Sequence, residues 1–140
     1  MTRRALTIVL HWGTALLLLV LVKGGTAAPA LRWVFVGGAG LWVALALGRG
    51  MLGRPGPKLA GWARAIFAPL HWGMYALLAT AAALNAADLL GYGGGVWAWR
   101  ALLVLLVAAM FHAIYHLWRH TTLNDGALRM MLPRAMHRLL

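Results

Sequence analysis

Four stretches of this chain are long and apolar enough to cross a lipid bilayer, and this constrains the fold more than any other feature. A helix needs about 20 mainly apolar residues to span the hydrocarbon core, because each residue advances only about 1.5 Å. Residues 5–22, 31–47, 65–87 and 96–118 approach or exceed that length, joined by connectors 23–30, 48–64 and 88–95. Inside lipid every backbone polar group must find its partner within the segment, so each run is expected to be a helix. The expected fold is all-α: a transmembrane four-helix bundle forming a single membrane domain over 1–140. A short cytoplasmic tail, 119–140, would carry an interfacial helix at 128–140.

Composition agrees. The chain is 63% hydrophobic and 11% charged, with a mean hydropathy of +0.78, too little polar surface for a soluble domain of this size. Absence of cysteine excludes disulfides, thiolate metal sites, iron–sulfur clusters and thioether-linked haem. The net charge of +11 raises nucleic acid as a partner, but the basic residues flank apolar runs instead of forming one hydrophilic block, so no nucleic acid is expected.

Their distribution sets the orientation instead. With the N-terminus inside, the inner face carries ten basic residues (Arg3, Arg4, Arg49, Arg54, Lys58, Arg64, Arg119, Arg129, Arg134 and Arg138), against Lys23, Arg32 and Arg100 outside. Cytoplasmic loops are the ones enriched in Lys and Arg, so both termini are expected in the cytoplasm. Trp33, Trp62, Trp97, Trp99 and Trp118 lie near span ends, as interfacial anchors do. The first run follows Arg3 and Arg4 and precedes the small residues Ala27, Ala28 and Ala30, an outline shared with a secretory signal. Its length, and a motif that returns later in the chain, favour a retained span.

That motif is Leu10-His11-Trp12-Gly13, echoed by Leu70-His71-Trp72-Gly73. It fits a duplicated hairpin or chance recurrence in a small apolar alphabet. Gly53, Pro55, Gly56 and Pro57 interrupt the central connector, and Gly91, Gly93, Gly94 and Gly95 mark the last turn. Gly13, Gly37, Gly38, Gly40 and Gly73, within the spans, are expected to be small-residue positions of helix packing.

Ionisable groups inside a span are costly, and each is a functional candidate. His11, His71, His112 and His116 lie inside the spans. His11, His71 and His112 are each seven residues inward from an arginine (Arg4, Arg64 and Arg119), about 10 Å below the inner basic rim at 1.5 Å per residue. Three helices thus place imidazole at one depth. The pattern suits non-covalent b haem, held by neutral imidazoles in apolar surroundings, with Arg4, Arg64 and Arg119 at the rim to pair with propionates. The alternative is that the histidines only bond across helices and hold the bundle together. Zinc would want further Cys, Asp or Glu ligands, and the only acids, Asp88 and Asp125, lie outside the spans. His116, one turn beyond His112 on the same face, cannot ligate the opposite side of one iron and reads as a neighbouring contact. Met110 reads as core packing.

The chain resembles the bacterial cytochrome b561 family of small four-helix inner-membrane proteins. The residues that carry the resemblance are Leu10-His11-Trp12, Arg49 before Pro55, His71 with Tyr75, and Phe111-His112-Ala113. They continue with Asn124-Asp125-Gly126-Ala127-Leu128-Arg129-Met130-Met131 and Pro133. The resemblance implies haem b, with His11 and His112 as ligands to its iron, and electron exchange with a quinone such as ubiquinone or with a larger membrane complex. It implies an electron-transfer protein, alone or as the membrane subunit of a quinone-linked oxidoreductase. The family's second, outer haem would need histidines where this chain has Phe35 and Ala98, so one haem is expected. The family's quinone region falls near Arg119 and His120, where one histidine is replaced by Arg119. A cytochrome-derived structural or assembly subunit without redox turnover is the competing expectation.

Overall fold

The computed structural model describes residues 2–139, and among these no strand is present. Helix α1 (Arg3–Gly24) starts at Thr2, whose hydroxyl accepts from the Ala5 amide at 3.3 Å, and stops at Gly25, where φ is 70°. Pro29, with no amide hydrogen to lose, opens α2 (Pro29–Arg49), which ends at Gly50 with φ 72°. A short α3 (Gly61–Ala65) is separated by Ile66 from α4 (Phe67–Leu89). Pro69 explains the break: it has no N–H to bond the Ala65 carbonyl, so it is accommodated only in the first turn of a new helix. The turn after α4 uses Gly91, Gly93 and Gly94 at φ 84°, 77° and 98°, and α5 (Gly95–Thr122) follows.

The four long helices are each long and apolar enough to cross a membrane. The helices outrun their apolar segments, because arginine and threonine at the ends still propagate a helix. The tail does not form the expected α-helix over 128–140. It makes two 3-10 segments, Ala127–Met130 and Arg134–Leu139, separated across Pro133, which cannot continue a hydrogen-bonded ladder.

The main helix contacts run α1 to α2, α2 to α4, α4 to α5 and α5 back to α1, a closed four-helix ring. Its outer surface is apolar: Leu16, Leu47, Val104 and Phe111 are all more than half exposed. That is the surface expected of a bundle whose solvent is lipid. At the end away from the chain termini, Leu18, Leu21, Phe35, Leu78, Ala81 and Leu102 form one buried core. At the other end Leu59, Ala63, Phe67 and Tyr115 form a second.

The glycines behave differently from expectation. A Cβ added at Gly13, Gly37, Gly40 or Gly73 would meet nothing within 4 Å, and only Gly38 has a neighbour, Thr14 Oγ1 at 3.9 Å. Close packing falls instead to Ala39, Ala81 and Ala98, all fully buried.

Candidate functional site

Between the two cores lies a layer of imidazoles. His112 and His116 are one helical turn apart on α5, so both face the same neighbour, with ring centroids 4.5 Å apart. From α4, His71 meets both edge to face at 5.1 Å. One ligand-capable nitrogen from each of the three lies within 4.8 Å of the others.

The hydrogen bonds fix the protons on one pair. His71 Nδ1 lies 2.6 Å from the Phe67 carbonyl oxygen, which only accepts, so Nδ1 carries the hydrogen. In the neutral ring His71 Nε2 is then an acceptor, and His116 Nε2, 3.2 Å away, donates to it. His71 and His116 are thus a satisfied pair joining α4 to α5.

His112 and His11 are not satisfied. Among the described residues, the Nδ1 atoms of both are buried with no hydrogen-bond partner. His11 projects from α1 against the edges of Trp12 and Trp42, at 5.1 and 5.4 Å, and Trp42 in turn meets Tyr75 at 5.7 Å. His11 lies outside the cluster of His71, His112 and His116; buried polar atoms are nearly always paired, so an open imidazole nitrogen on each of α1 and α5 marks unused coordinating capacity.

The arginines at the rim are already engaged. Arg4 donates to the carbonyls of Arg129 and Leu132 at 2.8 and 2.9 Å. Arg64 donates to those of Gly56 and Leu59, each at 3.4 Å. Arg119, 4% exposed, gives Nε and Nη2 to Asp125 Oδ2 at 2.8 and 2.7 Å, and its guanidinium lies over the rings of Phe67 and Tyr115. Neighbouring His120 keeps its buried Nδ1 unpartnered among the described residues.

Three features escaped the sequence reading. Tyr115 donates to the Ala63 carbonyl at 2.7 Å, pinning the α3–α4 break against α5. Trp12 donates to the Met131 carbonyl at 2.7 Å, strapping the tail onto α1. At the opposite end, buried Arg32 bonds Asn85 Oδ1 at 2.9 Å and Asp88 Oδ2 at 2.7 Å. An arginine and an acid near apolar runs were the available signal for that last pair, since a buried guanidinium needs an anion.

Comparison with known proteins adds no relative: no family model matches the chain, and neither a curated protein nor a solved structure matches it significantly.

Proposed function

We propose that this chain is a multi-pass protein of a bacterial inner membrane, both termini cytoplasmic, that holds one b haem in its histidine layer. In this reading it passes electrons to or from a quinone or a larger membrane complex. The observation that carries the reading is the division of labour among the imidazoles. His71 and His116 satisfy each other, while His11 and His112 retain buried nitrogens without partners.

The donor set fits the group: imidazole is a haem ligand, the surroundings are apolar, and no carboxylate or thiol competes inside the layer. His11 and His112 would hold the iron, from adjacent helices α1 and α5. The haem supplies a one-electron ferric–ferrous couple. The protein's own part is to keep the imidazoles neutral and oriented, and the His71–His116 bond stiffens the α4–α5 side on which His112 rests. Apolar packing on both sides of the layer excludes water. His120, with its unpartnered nitrogen beside the rim, is the group best disposed to bond a quinone oxygen. Arg4, Arg64 and Arg119 already have protein partners, so propionate pairing would require them to exchange those partners.

A single centre is supported by the packing around Phe35 and Ala98, both fully buried. Phe35 belongs to the far apolar core.

The competing reading, a structural or assembly subunit, draws on the same His71–His116 bond, because imidazoles bonded across helices stabilise a bundle without any cofactor. A reduced-minus-oxidised visible spectrum of protein purified from haem-replete cells separates the two. The carrier reading expects b-type bands, and a folded protein without them would leave the structural reading.

A further inference from the structure

Five arginines converge on one cavity at the end of the bundle that carries the chain termini. The cavity, about 420 Å³, is lined by Arg4, Arg54, Arg119, Arg129 and Arg134, with Asp125 as its one acid. Its walls come from the start of α1, the connector after α2, the end of α5 and the tail. Among the described residues, side-chain carboxylates do not neutralise this cluster. The sequence has two acidic residues: Asp88 is paired with Arg32 at the opposite end, and Asp125 is taken by Arg119. Five guanidiniums therefore face one carboxylate.

The tail backbone that forms one wall of the cavity is held in place, while Arg54, Arg129 and Arg134 reach into it as exposed side chains. Arg4 holds the tail through two carbonyls, and Trp12 holds it through a third. His137, another lining residue, bonds the same Arg129 and Leu132 carbonyls at 3.0 and 3.1 Å. The connector runs alongside the buried ion pair: a Cβ at Gly56 would sit in ordinary contact, 3.5 Å from Asp125 Oδ2 and 3.6 Å from Arg119 Nη2. Like charges gathered around one cavity repel, and an anion with several acceptor oxygens relieves the repulsion through guanidinium pairs.

We propose that this cavity is a binding site for a phosphate-bearing anion, either the phosphodiester headgroup of an anionic membrane lipid or free phosphate. The shared chemistry is phosphoryl oxygens received by Arg54, Arg129 and Arg134, the three lining arginines whose side chains have neither a carboxylate nor a carbonyl partner among the described residues, whereas Arg4 is held by two carbonyls and Arg119 by Asp125. The cavity lies at the ends of the spans, where lipid headgroups also lie. The inference is independent of the histidine layer.

The test uses the full chain in a zwitterionic detergent, titrated in separate arms with phosphatidylglycerol, phosphatidylcholine and inorganic phosphate. The pocket variant is Arg54→Gln/Arg134→Gln. The charge-matched control is Arg49→Gln/Arg138→Gln, which removes two charges from the same end without touching the cavity. At about fivefold per arginine, the pocket variant is expected to weaken anion binding roughly 25-fold, and the control less than about threefold. Phosphatidylglycerol binding with that pattern assigns the site to a lipid, and phosphate binding with that pattern assigns it to the free anion. Equal losses in both variants, equal binding of phosphatidylcholine and phosphatidylglycerol without phosphate binding, or no binding in any arm would overturn the proposal.

Discussion

Asp125→Ala should be among the most damaging single changes at the loop end of the bundle. The side chains of Arg119 and Asp125 are 5% and 1% exposed, so removing the carboxylate leaves a largely buried guanidinium without its counter-charge. Breaking one partner of a buried pair costs about 3–5 kcal/mol. Asp125 Oδ1 also accepts from the Ala127 amide at 2.9 Å, and that loss adds about 1 kcal/mol. Stacking of Arg119 over Phe67 and Tyr115, at 5.2 and 5.8 Å, is common to parent and variant and drops out of the difference. The net expectation is a loss of about 4–6 kcal/mol. Removing both charges, as Arg119→Met/Asp125→Leu, should return to within about 2 kcal/mol of the parent, because no buried charge is left unpaired. Unfolding by a denaturing detergent in phosphate-free buffer, followed by tryptophan fluorescence, measures both. Trp62 and Trp118, stacked 6.1 Å apart, report from the same end. A single-variant cost below about 1 kcal/mol, as for a solvated surface pair, would refute the reasoning.

Other outcomes follow from the packing. Arg32→Leu should cost about 3 kcal/mol, because Asp88 and buried Asn85 lose their donor; the same unfolding assay reads it. Gly73→Ala should be neutral or stabilise by up to about 1 kcal/mol, since the new methyl meets open space and helix propensity improves. A loss above that range would show that the glycine does pack against a helix. Trp12→Phe removes the bond to the Met131 carbonyl and should speed protease cleavage of the tail while leaving the four long helices intact by circular dichroism; an unchanged cleavage rate would mean the strap does not hold the tail.

The number and placement of the long helices were legible because each apolar run is long enough to demand a helix in lipid. Their facing was not. The runs are apolar on every side, so no amphipathic stripe distinguishes a packed position from a lipid-facing one. This is why Gly13 and Gly73 were expected inside the bundle yet face open space, while Ala81 and Ala98 do the packing. The equal seven-residue offsets pointed to His71 and His112, whose rings lie 5.1 Å apart, but the third member of the cluster is His116 and not His11, which packs against Trp12 and Trp42. Which imidazoles are already satisfied was not legible, because one partner of His71 is a backbone carbonyl and the other comes from a different helix. The break at Ile66 had a local signal in Pro69 that hydropathy masks, and the pairing of Arg119 with Asp125 depends on how the chain turns after α5.

Haem content per chain across the histidine variants tests the central claim most directly. The parent should carry one b haem, His11→Ala and His112→Ala should carry essentially none, and His71→Ala should keep it. Two haems per parent chain, or retention in His112→Ala with loss in His71→Ala, would contradict the account.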